Sequence, residues 1–119
     1  MTTQEIAAKL VAHCRQAAWE AAHRELYADH AVSLEPVATP AFAQETRGLP
    51  AIIAKGHTFT GMVETLHAVT VSDPLVAPDS FACTLTMDLT LKGQPRRQMS
   101  ELCVYEVKDG RIVSERFFR

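Results

Sequence analysis

Residues 98–118 read QMSELCVYEVKDGRIVSERFF, and the turn in the middle of this stretch decides what the rest of the chain can be. Two runs with period-two hydrophobicity, Gln98–Val107 and Arg111–Phe118, flank Lys108-Asp109-Gly110, which has the residues of a β-hairpin turn. Met99, Cys103, Tyr105 and Val107 fall on one side of the first run, Leu102 and Val104 on the other. In the second run Val113 and Phe117 oppose Ile112 and Phe118. Antiparallel strands with one wet face alternate apolar and polar residues. Both faces here are apolar, so both need cover. The favoured turn is a three-residue loop with Gly110 left-handed as a bulge, pairing Val107 with Arg111, Tyr105 with Val113, Cys103 with Glu115 and Glu101 with Phe117. Glu101 and Glu115 then share a face as diagonal neighbours. A two-residue Asp109-Gly110 turn would put them on opposite faces, because a one-residue slip inverts every side chain.

Upstream lie two more strand-like runs, Val63–Val71 and Phe81–Leu91, set apart by the turn-rich strings DPLVAPDS and KGQPR. In the second of these, Phe81, Cys83, Leu85, Met87, Leu89 and Leu91 alternate with smaller or polar residues, the pattern of a half-buried strand. Before them, Leu49–Met62 reads as a helix with Pro50 in its first turn and Ile52, Ile53, Gly56 and Phe59 on its buried side. The segment PVATPAFAQETRG, residues 36–48, has two prolines and no period, and its length marks it as a lid or binding loop. Ala31–Leu34 is a short strand that ends at Glu35-Pro36. From Thr2 to about His30 the chain is helical: Thr2-x-x-Glu5 is a capping box, and Ile6, Leu10, Cys14 and Ala17 recur at helical spacing. Trp19, Ala22 and Leu26 continue at a shifted phase, so one long helix and two short ones both fit.

Helices followed by consecutive strands give an α+β fold: N-terminal helices packed on a curved antiparallel sheet, forming a cone with an internal pocket. At 119 residues the chain fits one domain spanning 1–119. No sequence is left over to cover the outer sheet face, so a second copy of the chain is the expected cover, giving a homodimer.

Composition narrows the function. The 47% apolar and 22% charged residues are ordinary for a globular protein, and a net charge of −2 offers no basic stripe for nucleic acid. No window is long and apolar enough for a membrane span, and MTTQEIAAKL, without a basic start followed by an apolar block, does not read as a signal peptide. Cys14, Cys83 and Cys103 are widely spaced and read as reduced, buried thiols of a cytoplasmic protein. His13, His23, His30 and His57 share no ligand spacing, so no metal site is expected.

Three acids carry the chemistry. Glu35, at a strand end beside a proline-rich loop, is either a general base at a pocket mouth or an exposed acid. Glu101 and Glu115, on an otherwise apolar face, are an acid/base couple, or partners of an Arg such as Arg97 or Arg116, or acids facing solvent at the rim of the cone. His67, in phase with Val63, Val69 and Val71, is read as pointing inward as a ligand contact or a core histidine. Trp19, Phe59, Met87, Cys103, Tyr105 and Phe117 complete the expected wall of the pocket.

LYADHAVSLEP (26–36), RGLPAIIAK (47–55), KGQP (92–95) and VYEVKDGRIVSERFF (104–118) together resemble the nuclear transport factor 2-like superfamily. The likeness is closer to its SnoaL-like members than to its ketosteroid isomerases. Ketosteroid isomerases belong to the same superfamily, and there the resemblance is partial. Glu35 stands where that family has its carboxylate base, Cys103 where it has a protonated Asp, and Val11 where it has a donor Tyr. Without both donors, steroid isomerisation is not implied. Limonene-type epoxide hydrolysis is not implied either, since Asp88 and Asp109 do not flank an inward Arg. The resemblance implies a cofactor-free isomerase or cyclase acting by proton transfer on a small, apolar, carbonyl-bearing molecule. The alternatives on the same fold are a ligand-binding protein without chemistry and a protein-interaction module.

Overall fold

The computed structural model describes residues 1–119. Helix α1 (Thr3–Arg15) opens on the capping box read from the sequence: the Thr2 hydroxyl accepts from the Glu5 amide at 3.1 Å, and the Glu5 carboxylate accepts from the Thr2 amide at 3.1 Å. Its stripe Ile6, Leu10, Val11 and Cys14 is buried. The helical N-terminus resolves into two helices, because Ala17 takes φ +53° and breaks the ladder before α2 (Trp19–Leu26). Ala is a good helix former, so no local signal marks this break.

Strand β1 (Tyr27–Leu34) begins four residues before the expected Ala31, directly off the end of α2. The loop after it gives up Glu45–Arg47 as β2, antiparallel to β1. Gly48, with φ +90°, then turns the chain into α3 (Leu49–Met62), with Pro50 in its first turn. The remaining strands are β3 (Val63–Val71), β4 (Leu75–Val76), β5 (Ser80–Leu91), β6 (Arg97–Lys108) and β7 (Arg111–Phe118).

The three helices pack on a mixed, unclosed sheet ordered β2-β1-β7-β6-β5-β3, with β4 beside β5. All pairings are antiparallel except β1 with β7, which run parallel. The fold is α+β as expected, and the parallel pair is an addition to the antiparallel expectation. It matters for the site, because it sets Ser33 of β1 beside Glu115 of β7.

The final hairpin corrects the expected turn. Asp109 and Gly110 have φ +52° and +73°, so they form a two-residue type I′ turn pairing Lys108 with Arg111. Asp tolerates the left-handed region, and that removes the need for a longer loop. Val107 then faces Ile112, but Glu106 faces Ser114, leaving Val113 as an unpaired bulge. The extra residue restores parity: Tyr105 faces Glu115 and Cys103 faces Phe117. Glu101 and Glu115 therefore do share a face, by a short turn plus a bulge and with partners shifted from those expected. The short turn also moves Ile112, which the longer loop would put on the outer face, opposite Val107 and into the core, where it is fully buried.

Strand β3 carries the second correction. Leu66 pairs with Leu89 and Ala68 with Asp88, so His67 is a bulge. The inward residues are Leu66, Val69 and Val71, while His67 is exposed and hydrogen-bonds Thr90 at 2.9 Å.

Candidate functional site

Between the helices and the sheet lies a cavity of about 190 Å³. Apolar side chains from all three helices form one wall: Leu10 and Cys14 of α1, Trp19 of α2, and Ile52 and Phe59 of α3. The sheet supplies Leu85, Met87, Tyr105 and Phe117. Into this surface open three carboxylates, Glu35, Glu101 and Glu115, with Lys55 and Arg119. Burying five ionisable groups in an apolar cavity is costly unless they are paired, and their pairing is uneven.

Glu115 is 5% exposed and doubly satisfied. The Tyr27 hydroxyl donates to one oxygen, and the Ser33 hydroxyl donates to the other at 2.5 Å. The Ser33 oxygen accepts in turn from the Lys55 ammonium at 2.9 Å, and Lys55 reaches the Glu35 carboxylate at 3.1 Å. Arg119 closes the chain on the second Glu35 oxygen at 3.2 Å. The result is one hydrogen-bonded line, Tyr27–Glu115–Ser33–Lys55–Glu35–Arg119, from the buried end of the cavity to its rim. Lys55 also lies 5.4 Å over the Phe117 ring.

Glu101 stands outside this line and makes no hydrogen bond or ion pair with the protein. Burial raises its carboxyl pKa from the usual 4.5 to about 7, helped by the neighbouring negative charge of Glu35. Tyr27 and Tyr105 are pushed well above their ordinary values, first by burial, so both are neutral phenols. Burial pushes His23 down; its ring stands edge-on to Tyr27 at 4.9 Å, and its Nδ1 is buried without a partner.

Of the residues singled out in the sequence, Glu35, Glu101 and Glu115 meet at this cavity, as do Trp19, Phe59, Met87, Tyr105 and Phe117. Two do not. His67 is carried outside by its bulge. Cys103, on the inward face of β6 between Glu101 and Tyr105, is too short to reach the cavity and is 1% exposed in the core. It faces Cys83 directly across the sheet, and that contact together with burial raises its thiol pKa. Neither Arg97 nor Arg116 pairs with the two hairpin acids: Tyr27 and Ser33 hold Glu115 instead. Val11 is core, away from the cavity.

Lys55, Tyr27, Ser33, Arg119 and the loop residue Phe42 were not anticipated. Lys55 carried a signal, because it falls three residues after Ile52 and so on the buried side of α3. Tyr27 and Ser33 would have been legible as inward residues only if β1 had been started at Tyr27. No three His, Cys, Asp or Glu side chains converge as a set of metal ligands.

A family model described as a SnoaL-like domain matches residues 1–119. The solved structure of a candidate SnoaL-like polyketide cyclase from Mesorhizobium loti is 30% identical, with 100% of both chains covered and a TM-score of 0.90. A protein with a cystatin-like fold from Xanthomonas campestris is 18% identical, with 99% of this chain and 90% of that one covered and a TM-score of 0.82. One with a ketosteroid isomerase-like fold from Catenulispora acidiphila is also 18% identical, covering 99% and 87% at a TM-score of 0.76. These last two show the fold alone. No curated protein matches the sequence.

Proposed function

This chain belongs to the SnoaL-like domain family, and from that premise we propose that it is a cofactor-free isomerase- or cyclase-type enzyme moving a proton on a small carbonyl compound held in the cavity. The single observation that carries this reading is Glu101, an acid with no protein partner and a pKa of about 7, open to an apolar cavity. A group poised near neutrality both takes and returns a proton. In this reading Glu101 removes the proton α to the carbonyl, the bonding pair moves onto the carbonyl oxygen, and Glu101 returns the proton at a new carbon. Lys55 and the neutral Tyr105 hydroxyl supply donors for the oxyanion, replacing those that Cys103 and Val11 do not provide. Glu35, bound to both Lys55 and Arg119, anchors the ammonium.

The test is solvent exchange. A panel of small enolisable ketones in D2O, followed by NMR, should include members whose α-deuteration the protein accelerates. Glu101→Gln should lose that acceleration by about 10²–10⁴-fold, the usual contribution of a general base. Acceleration that survives Glu101→Gln but not Glu35→Gln would move the base to Glu35. No acceleration with any ketone that binds would leave a binding protein.

A further inference from the structure

The cavity lining holds three carboxylates against two cations, and both cations are committed to Glu35. Glu115 is satisfied by Tyr27 and Ser33. When all three acids are ionised, one negative charge is left over, and it sits on Glu101. Its oxygens are not sealed in the core, since His23 Nδ1 is the buried side-chain polar atom without a partner. Around the same cavity stand Trp19, Tyr27, Phe42, Phe59, Tyr105 and Phe117, six aromatic rings in a lining of 20 residues. Aromatic faces attract cations and repel anions. A carboxylate without a counter-ion, in a chamber walled by rings, lacks one component: a positive charge with apolar substituents.

We propose that the cavity selects ligands carrying a cationic nitrogen, an ammonium placed against Glu101 with its carbon substituents on the aromatic wall. The inference rests on the reading that the cavity takes a small molecule, and it stands whether or not a reaction follows. It also deepens the proton-transfer reading. An ammonium beside a carbonyl acidifies the carbon it flanks, so the charge that draws the ligand to Glu101 also eases removal of the proton there. A volume of about 190 Å³, below the roughly 300–1,000 Å³ of drug-sized sites, keeps the ligand compact. Carboxylate-bearing molecules are excluded by the same surplus charge.

The test uses two probes of one shape: benzyltrimethylammonium, permanently charged, and neopentylbenzene, in which carbon replaces the nitrogen. Trp19 is the sole tryptophan and lines the cavity, so its fluorescence reports binding directly. The cation should bind the wild-type protein, and Glu101→Gln should weaken it at least about tenfold while leaving neopentylbenzene unchanged. Lowering the pH from 8 to 6 should weaken the cation in the wild type by about tenfold, following protonation of a group near 7. This arm needs no variant. The groups facing Glu101 are Glu35 after β1, Glu115 on β7, Lys55 on α3 and Arg119; of the other titratable lining groups, Tyr27 on β1, Tyr105 on β6 and Cys14 on α1, at about 12, stay neutral, and burial pushes His23 on α2 down. Binding of neopentylbenzene without the cation, or a cation affinity indifferent to Glu101→Gln and to pH, would overturn the proposal and leave the small-molecule pocket standing. Failure of both probes to bind would overturn the pocket reading as well.

Discussion

Glu115 accepts from two hydroxyls of β1, Tyr27 and Ser33, whereas Glu101, on the neighbouring strand, has no donor. That difference in surroundings makes one acid a fixed part of the wall and leaves the other free to titrate. It has a consequence for stability. The Glu101 carboxyl titrates at 4.5 when unfolded and about 7 in the native state. Between these values the native protein binds more protons than the unfolded chain, so stability falls as pH rises through the window. The penalty is absent below 4.5 and complete above about 7, amounting to roughly 3 kcal/mol at most. Glu101→Gln keeps the shape and removes the charge. Urea denaturation should find the variant more stable than wild type by roughly 1–3 kcal/mol at pH 8 and equal to it near pH 4.5. Equal stability at pH 8 would mean that Glu101 is solvated rather than buried.

At the scale of elements, the features that place the site are bulges, and bulges are what a reading of periodicity misses. Strand β5 alternates without interruption, and its inward row was legible residue by residue. Strand β3 carries two extra residues, Glu64 and His67, and β7 one, Val113, with no glycine to mark any of them. The two shifts cancel, so Val63, Val69 and Val71 keep the expected phase, while His67, lying between them in phase with the same residues, falls on the outer face. At the hairpin, the tight turn and the Val113 bulge shift the register in compensating ways, so the shared face of Glu101 and Glu115 was legible although the pairing was not. The break between α1 and α2 at Ala17 had no local mark either, and starting β1 at Ala31 hid Tyr27 and Ser33. The turn itself can be tested. Gly110 has φ +73°, and a Cβ there would meet the Met1 backbone nitrogen and oxygen at 3.3 Å each. Gly110→Ala should cost roughly 1 kcal/mol or more, seen as a Tm a few degrees lower. Asp109→Gly, relieving a non-glycine residue at φ +52°, should cost less. An unchanged Tm for Gly110→Ala would mean that the type I′ turn is wrong.

Leu75 and Val76 of the short β4 are exposed, and at the scale of the whole molecule a second uncovered apolar surface lies on the main sheet. Leu102 and Phe118 face each other across β6 and β7 on the side of the sheet away from the helices, 41% and 44% exposed. Val104, next along β6 on the same face, is half-buried, and Ala82 of β5 lies directly across from it. Arg116, Ser100 and Glu106 surround them, so an apolar centre has a polar rim, the anatomy of a protein interface. Ile112, once expected here, is inside and contributes nothing. We propose that two copies of the chain pack through this face about a two-fold axis, which lets the same patch serve both partners. A stable dimer of this kind needs about 800 Å² from each partner, so the strands on either side must take part along with the central pair. Sedimentation at micromolar concentration should give a dimer. Replacing Leu102 and Phe118 together by Lys sets like charges face to face across the axis, and the variant should sediment as a monomer. Neither side chain belongs to the core, so its thermal unfolding should remain a single cooperative transition. A wild-type protein that stays monomeric at high micromolar concentration would overturn the proposal, as would a double-Lys variant that still dimerises.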